Sequence, residues 1–318
     1  MTAILILNYN NAEDTIHCIR SIEEHNTAPV KYVVVDNGST KEGVIATIDA
    51  FLEEQFSDDY LKQAIDQVPN GPLHHANLLL NPENSGYAVG NNKGLEWVFQ
   101  DPEVNGILLI NNDVLFTEDI LPRLQDDFGR LDRCGLITPL LRKKDGKRVD
   151  GSCARRFVSN WNLMVPFLLH NRNWHHWLSK NMAKQIIFRE RPELIQQDSP
   201  FKIDYPSGSC LYVEKDLFQR IGAFDPGTFL YYEELILFRK LQSVNRQNYC
   251  DPTVSVIHLG GNSTRMSDNS FLQRCNLDSA DLYFRKYGNC SFLQRAVWAL
   301  TKISWKFRLS LKEAFRKH

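Results

Sequence analysis

The first 116 residues alternate short apolar runs with segments of helical periodicity, and this alternation constrains the fold more than any other feature. The apolar runs have the length and composition of buried parallel strands. The predicted strands are Thr2–Leu7, Val30–Val35, Ala76–Leu80 and Ile107–Ile110. The predicted helices between them are Ala12–His25, Lys41–Phe56 and Tyr87–Phe99. Such alternation predicts an α/β fold with a Rossmann-like, doubly wound, mostly parallel sheet.

Each predicted strand stops in a polar segment rich in asparagine, aspartate, glycine and serine. These segments are Asn8–Asn11, Asp36–Ser39, Asn81–Gly86 and Asn111–Asp113. The carboxyl ends of parallel strands lie at one edge of a sheet, and open α/β sheets bind their ligands outside that edge. The sequence therefore predicts a ligand site along this edge.

The second half of the chain does not keep the strand–helix alternation. The predicted elements there are a hairpin turn at Arg142–Gly146, strands at Ile203–Val213 and Val254–Ile257, and helices at Glu214–Ile221 and Tyr231–Val244. Residues 158–200 show no assignable pattern and are predicted to be an insertion. Helical patterns fill the last fifty residues. We therefore expect one domain over residues 1–265 and a helical C-terminal extension over residues 266–318.

Composition and charge exclude several classes of protein. The chain has 318 residues and a formal net charge of −1, so no global field attracts nucleic acid and we expect no such partner. Its seven cysteines are scattered without a CxxC pair, which is typical of reduced cytoplasmic thiols. Met1–Leu7 resembles a strand rather than a secretory signal, and no apolar run approaches the ~20 residues of a membrane span. We expect a cytoplasmic protein.

The segment Asn111-Asn112-Asp113 is the first candidate for chemistry. Carboxylate and amide oxygens at the end of a buried strand can hold a hard cation, which can in turn hold phosphate. The alternative is an Asx-type turn that only ends the strand. His258 follows the last predicted strand and is expected at the same edge as Asp113. An imidazole there can ligate a metal or contact a phosphate, and the alternative is a structural histidine.

Two other segments offer contacts to a nucleotide. Asp36 ends the second predicted strand, where its carboxylate can accept from the imide N–H of uracil or thymine or from a ribose hydroxyl, or can serve as a turn residue alone. Asn84–Gly94 places glycines and amides just before a helix, so backbone can approach a ligand and the helix start can offer N–H groups. The spacing is neither a Walker loop nor GxGxxG.

Glu233 and Glu234 are adjacent acids within an aromatic and aliphatic stretch. Burying a carboxylate is costly unless it has a partner. Adjacent residues of a helix point about 100° apart, so only one of the two can face a given site. They either occupy a first helical turn, where the dipole favours acids, or supply a general base in a partly dry pocket.

Six segments occur together in an informative order. They are ILILNYNN at Ile4–Asn11, VVVDNGST at Val33–Thr40, NSGYAVGNNKG at Asn84–Gly94, LLINNDV at Leu108–Val114, PSGSCLYVEKDLFQRIGAFDPGTFLYYEE at Pro206–Glu234, and HLGGNST at His258–Thr264. In this order they resemble the family 2 glycosyltransferases of the GT-A fold, in the rhamnosyltransferase-like branch. The resemblance covers most of residues 2–265.

The resemblance implies a reaction and a set of site residues. Rhamnose or a hexose would pass, with inversion, from a nucleotide-diphosphate sugar donor to a hydroxyl of a glycan or lipid-linked glycan acceptor in surface polysaccharide synthesis. Glu234 would match the catalytic base, with Glu233 beside it. Asp113 and His258 would contact a divalent cation, Mg²⁺ or Mn²⁺. The implied nucleotide-sugar contacts are Asn8, Tyr9, Asp36, Asn84, Gly86, Asn91 and Asn112.

The chain departs from the family pattern at two positions. Asn111 stands at the first position of the DxD motif, and Glu234 stands where aspartate is commoner. No QxxRW-like motif occurs where processive synthases carry one, so we expect single additions. Two alternatives stay open. A sugar-nucleotide nucleotidyltransferase would need a glycine-rich loop where Asn8–Asn11 stands, and a non-catalytic relative would bind glycan or nucleotide only.

The last segment, residues 295–318, carries seven basic residues against one acid. Its apolar stripe comprises Ala296, Leu300, Ile303, Phe307, Leu311 and Ala314, and Trp298 and Trp305 flank it. A basic amphipathic helix can lie in a membrane interface, which would give peripheral contact with the inner face of the cell membrane. The alternative is that the stripe packs on the catalytic domain.

Overall fold

The computed structural model describes residues 1–67, 71–157, 159–168, 197–260 and 269–316, without the side chains of residues 269 and 312–316. The strands are β1 Thr2–Asn8, β2 Val30–Asn37, β3 Tyr60–Ala64, β4 Ala76–Asn81, β5 Gly106–Asn111, β6 Val114–Phe116, β7 Cys134–Lys143, β8 Phe201–Ile203, β9 Cys210–Glu214 and β10 Gln247–His258. The α-helices are α1 Ala12–His25, α2 Val44–Phe56, α3 Gly86–Gln100, α4 Leu121–Arg130, α5 Asn160–Leu168, α6 Lys215–Arg220, α7 Glu233–Ser243, α8 Asn269–Lys286 and α9 Phe292–Arg316. Most of the predicted insertion and the end of the HLGGNST segment lie outside the described residues.

The described strands form one sheet in the order β3-β4-β2-β1-β5-β9-β7-β10-β6, and β8 pairs with β10. The strands from β3 to β5 in this order are mutually parallel. β9 runs antiparallel to β5 and β7, while β10 is parallel to β7. β6 and β8 run antiparallel to β10. The predicted α/β architecture with a mostly parallel, doubly wound sheet is confirmed, and a helical part follows it.

The register of the parallel strands brings their polar ends to one edge, as the sequence predicts. Asn8 at the end of β1 lies opposite Asp36 of β2. On its other side β1 pairs with β5, and Leu7 lies opposite Asn111. Because strands of equal direction end together, side chains from distant parts of the sequence meet at this edge.

Helix α3 approaches the sheet closely because glycines face it. An added Cβ at Gly90 would lie 2.9 Å from Cδ1 of Leu7, and one at Gly94 would lie 2.6 Å from Cδ1 of Leu5. Glycines four residues apart share one helix face, so at these two positions the backbone of α3 packs directly on the Leu5 and Leu7 side chains of β1. The prediction of a glycine-rich loop before a helix is therefore wrong in its bounds, since Gly86 already begins α3.

Two predicted elements of the second half have different bounds. The strand predicted over Ile203–Val213 is instead two short strands, because β8 pairs with β10 whereas β9 pairs with β5 and β7. The chain crosses between these positions through a bend that contains Ser207–Ser209. Helix α7 begins at Glu233, because Tyr231 and Tyr232 have φ of 74° and 71°, outside the right-handed helical region.

Two hydrophobic clusters hold the described elements together. The larger cluster surrounds the sheet, where every residue of β2 is buried. The second cluster joins α5, α7, α8 and α9, and includes Phe167, Leu235, Tyr283 and Trp298. None of the described helices is both long and apolar enough to cross a membrane. The division of the chain at residue 265 stays a prediction.

Candidate active site

A buried polar network joins the carboxyl ends of β1, β2 and β5. Nδ2 of Asn8 donates to Oδ2 of Asp36 over 2.7 Å, and Oδ1 of Asn8 accepts from Oγ1 of Thr15 over 3.0 Å. Nδ2 of Asn112 donates to Thr15 over 3.1 Å and to Oδ1 of Asn8 over 3.3 Å. The side chain of Asn8 is thus the hub that fixes two predicted site residues, Asp36 and Asn112, relative to each other.

The Asp36 carboxylate is fully buried and well supplied with donors. Besides Asn8, it accepts from the backbone N–H of Ser39 over 2.9 Å and from the Ser39 hydroxyl over 2.6 Å. A carboxylate offers about four acceptor positions, so these bonds leave little capacity for a ligand. The contact of Asp36 with a nucleobase stays a prediction, and in the structure this side chain organises the turn after β2.

Asp113 and His258 meet at the same edge of the sheet. β6 pairs antiparallel with β10 and sets His258 opposite Val114, next to Asp113. Nε2 of His258 lies 3.4 Å from Oδ1 of Asp113 and 3.4 Å from Oγ of Ser209. Burial alone would lower the pKa of His258, but its hydrogen bond with Asp113 and the charge of that carboxylate raise the net pKa above its ordinary value.

The side chains of Asp113 and His258 fit a divalent cation that takes its other ligands from substrate and water. Asp113 and His258 contribute one carboxylate and one imidazole, both largely buried. Among the residues that the structure describes, no group of three or more His, Cys, Asp and Glu side chains could hold a metal ion. A cation here would therefore take its remaining ligands from water and phosphate oxygens, as Mg²⁺ commonly does.

The adjacent glutamates at the start of α7 have different surroundings. Oε1 of Glu234 accepts a 2.7 Å hydrogen bond from the backbone N–H of Gly208, and the side chain is half-buried. Glu233 is only 5% exposed, and within the described chain its Oε1 has no hydrogen-bond partner. Burial, followed by the charge of Glu234, raises the pKa of Glu233 to about 8.

The bend Ser207–Ser209 connects Glu234 to the Asp113–His258 pair. Its Gly208 binds Glu234 through N–H and accepts a 2.9 Å hydrogen bond from the Tyr87 hydroxyl through its carbonyl. Its Ser209 hydroxyl contacts His258 and lies 2.8 Å from the hydroxyl of Ser207. The bend therefore contacts the candidate base, Glu234, on one side and one of the two candidate metal ligands, His258, on the other.

The backbone before Glu233 is strained. Tyr231 and Tyr232 both lie in the left-handed region of φ and ψ. This conformation costs a residue other than glycine on the order of 1–3 kcal/mol, and such strained residues are concentrated at functional sites. Phe229 just upstream accepts a 2.8 Å hydrogen bond from the backbone N–H of Tyr87. This strain fixes where α7 starts and so where Glu234 points.

The other residues predicted to contact the nucleotide sugar have different surroundings. Oδ1 of Asn84 accepts from Nδ2 of Asn37 and from the Gly86 N–H, over 3.1 and 3.0 Å. Gly86 has φ of 83°, and a Cβ there would lie 2.4 Å from the Phe229 carbonyl oxygen, so only glycine fits. Asn91 is buried and donates to the Tyr87 carbonyl within α3 rather than to another predicted site residue.

Sequence reasoning missed several residues of this site. They are Thr15, Ser39, Tyr87, Gly208 and Ser209. Ser39, Tyr87, Gly208 and Ser209 lie in segments that the resemblance contains. Thr15 lies on the buried face of α1 with Ile19 and Ile22, where the helical pattern gives no sign of a site residue. Tyr9 is half-buried after β1 and stays a predicted contact.

The fold matches a solved glycosyltransferase structure. The chain resembles the crystal structure of GalNAc-T7 with UDP, GalNAc and Mn2+, with a TM-score of 0.59 and 12% identity over 90% of this chain and 48% of that one. The mixed α/β fold is thus of the GT-A class. The family model for glycosyl transferase family 2 matches residues 3–194. The chain belongs to glycosyl transferase family 2 and is a glycosyltransferase.

Two curated relatives resemble the chain over most of its length. The N-acetylglucosaminyl-diphospho-decaprenol L-rhamnosyltransferase of Mycobacterium tuberculosis is 24% identical over 281 residues, which are 85% of this chain and 79% of that protein. The low-salt glycan biosynthesis hexosyltransferase Agl10 of Haloferax volcanii is 22% identical over 237 residues, 73% of this chain and 59% of that protein. They support the rhamnosyltransferase-like resemblance.

Proposed function

We propose that the protein is an inverting, divalent-cation-dependent glycosyltransferase. It moves rhamnose or a hexose from a nucleotide-diphosphate sugar to a hydroxyl of a glycan acceptor in surface polysaccharide synthesis. The observation that carries the proposal is the bend Ser207–Ser209, which contacts both Glu234 and His258. A base and a diphosphate site on either side of one short bend are what a direct transfer requires.

Glu234 is the proposed general base. Its Oε1 is held by Gly208, and no described residue hydrogen-bonds its second oxygen. That oxygen can take the proton of the acceptor hydroxyl as the new C–O bond forms and the bond to the diphosphate breaks, which inverts the anomeric carbon. Glu233 is less suited to this task, because a carboxyl with a pKa of about 8 is mostly protonated at neutral pH.

Asp113 and His258 are the proposed ligands of the cation beside the donor diphosphate. Bound Mg²⁺ or Mn²⁺ supplies positive charge for the leaving group. The network around Asn8 keeps the strand-end turns rigid, so the donor meets a preformed surface. The proposed donor contacts remain Asn8, Tyr9, Asp36, Asn84, Gly86, Asn91 and Asn112.

The acceptor is a glycan or a lipid-linked glycan. The mycobacterial relative is named for a substrate carried on diphospho-decaprenol, and a similar lipid carrier here would place the reaction in the cytoplasm at the inner face of the cell membrane. Either acceptor offers a hydroxyl for Glu234 to deprotonate.

A panel of sugar nucleotides tests this function. Purified protein is heated with each donor, with and without Mn²⁺ or Mg²⁺, and a true donor at 100 times its Kd adds about 2.7 kcal/mol of stability. The stabilising donor is then incubated with acceptor, and the anomeric configuration of the product is read by NMR. Transfer with inversion supports the proposal. Formation of a nucleoside triphosphate and a sugar 1-phosphate when pyrophosphate is added to the donor would indicate the nucleotidyltransferase alternative. Stabilisation without transfer or hydrolysis would indicate a binding protein.

A further inference from the structure

Helix α9 has two apolar faces, and only one of them packs on the described part of the chain. Trp298 and Leu309 are buried in the second hydrophobic cluster. Nε1 of Trp298 donates to Asp281 of α8 over 2.9 Å, and Nε1 of Trp305 donates to the Phe167 carbonyl of α5 over 2.7 Å. The tryptophans, which flank the stripe in the sequence pattern, therefore anchor the helix.

The opposite face of α9 is exposed and strongly apolar. Leu300, Ile303 and Phe307 are 70%, 65% and 64% exposed, and Leu293 and Leu311 continue the row at both ends. Residues at these spacings share one side of a helix. At about 1.5 Å per residue the row is ~27 Å long. The alternative that the stripe packs on the catalytic domain is wrong for the part of the chain that the structure describes.

Basic side chains border this exposed row. Helical geometry places Arg308 along one border and Lys306 along the other, and both are exposed. Within α9 the sequence holds six basic residues against one acid. An apolar row between basic borders is complementary to a surface with an apolar interior and an anionic outer layer.

We infer that the exposed face of α9, from Leu293 to Leu311, docks in the headgroup region of an anionic lipid bilayer. The helix would lie in the plane of the membrane, since no described helix can span one. A second copy of the chain fits this face poorly, because two such faces would bring their basic borders together. The inference stands apart from the proposed chemistry and is tested without any measurement of transfer.

Docking through α9 would also hold the candidate active site at a fixed place relative to the lipid. Trp298 and Leu309 lie in the same cluster as Leu235, which follows Glu234 in α7. The second cluster thus joins the proposed lipid-facing helix, through α5 and α8, to the helix that carries the proposed base.

The test measures binding of the full chain to vesicles of phosphatidylglycerol and phosphatidylcholine, compared with phosphatidylcholine alone. We expect the protein to bind the anionic vesicles only. Binding should be lost when the salt concentration is raised from about 0.1 M to about 1 M, because the Debye length shortens from about 10 Å to about 3 Å. Phe307→Glu should weaken binding by about tenfold or more, since a buried phenylalanine contributes this much to membrane transfer. Lys306→Gln should weaken it about fivefold.

Val244→Glu is the matched control, because Val244 is 41% exposed and lies at the end of α7, outside the row. It should bind like the unchanged protein. Circular dichroism of each variant verifies that α9 stays folded, and sedimentation equilibrium reports self-association. Equal binding of Phe307→Glu and Val244→Glu would overturn the inference. No binding of the intact protein at low salt, or a dimer that Phe307→Glu dissociates, would overturn it as well.

Discussion

The backbone N–H of Gly208 donates a 2.7 Å hydrogen bond to Oε1 of Glu234, and an added Cβ at Gly208 would lie 2.9 Å from that same oxygen. The contact joins the bend before β9 to the first turn of α7. It fixes one oxygen of the proposed base and leaves the other for the acceptor. A larger residue here would press against both Glu234 and the Tyr87 hydroxyl, 3.0 Å away, so these two side chains would have to shift.

Gly208→Ala tests this contact. The new methyl group should displace the Glu234 carboxylate, and a shift near 1 Å lowers kcat by about 10²-fold. The unfolding free energy should fall by about 1–3 kcal/mol, because the site is tightly packed. Gly129→Ala in α4 is the control, since a Cβ there meets nothing within 4 Å and should leave kcat unchanged. Equal kcat in both variants would show that Gly208 does not position the base.

Glu233 predicts a pH dependence of stability. Its pKa is about 8 in the folded protein against an ordinary value of 4.5, so between these values the folded state binds more protons than the unfolded state. The stabilising contribution is complete below pH 4.5 and is lost as the pH rises towards 8. At about 1.4 kcal/mol per pKa unit, the loss is on the order of a few kcal/mol.

Glu233→Gln should flatten this dependence, because glutamine resembles the protonated side chain at every pH. The variant should be more stable than the unchanged protein at pH 8 and similar to it at pH 4.5. Urea unfolding across this range measures the effect, and exposed Glu54→Gln should follow the unchanged protein. A Glu233→Gln curve parallel to that of the unchanged protein would contradict the buried, protonated Glu233.

Much of the fold could be predicted because it depends on local patterns. The strands β1, β2, β4 and β5 and the helices α1 to α3 follow from apolar runs and helical periodicity, and they are confirmed to within a few residues. β7 was not predicted, since Pro139 interrupts an otherwise apolar run and proline disfavours a central strand. In the structure Pro139 lies opposite Asp251, where the register with β10 shifts, and this irregularity tolerates it.

The candidate site could be predicted only in part, because its geometry depends on long-range packing. The strand-end rule placed Asn8, Asp36 and Asp113 at one edge from sequence alone. The different surroundings of Glu233 and Glu234 could not be predicted in this way. They arise from the strained Tyr231 and Tyr232, and from the packing of α7 on α8 in the second cluster.

Asp113→Asn tests the proposed cation site. The change removes the carboxylate beside His258 and keeps its shape, so donor affinity should become independent of Mn²⁺ and equal to that of the unchanged protein without metal. Isothermal titration of the donor, with and without Mn²⁺, measures this. Asp126→Asn, an exposed acid of α4, should keep the full metal effect. A normal Mn²⁺ response in Asp113→Asn would place the cation elsewhere.

Glu234→Gln tests the central claim most directly. Glutamine keeps the oxygen that accepts from Gly208 but cannot take a proton from the acceptor. Steady-state transfer by the variant, with donor affinity measured separately, is the deciding measurement, and Glu233→Gln serves as its neighbour control. We expect kcat to fall by about 10²–10⁴-fold in Glu234→Gln, with little change in donor affinity and a much smaller loss in Glu233→Gln. Near-normal kcat in Glu234→Gln would contradict the assignment of Glu234 as the base.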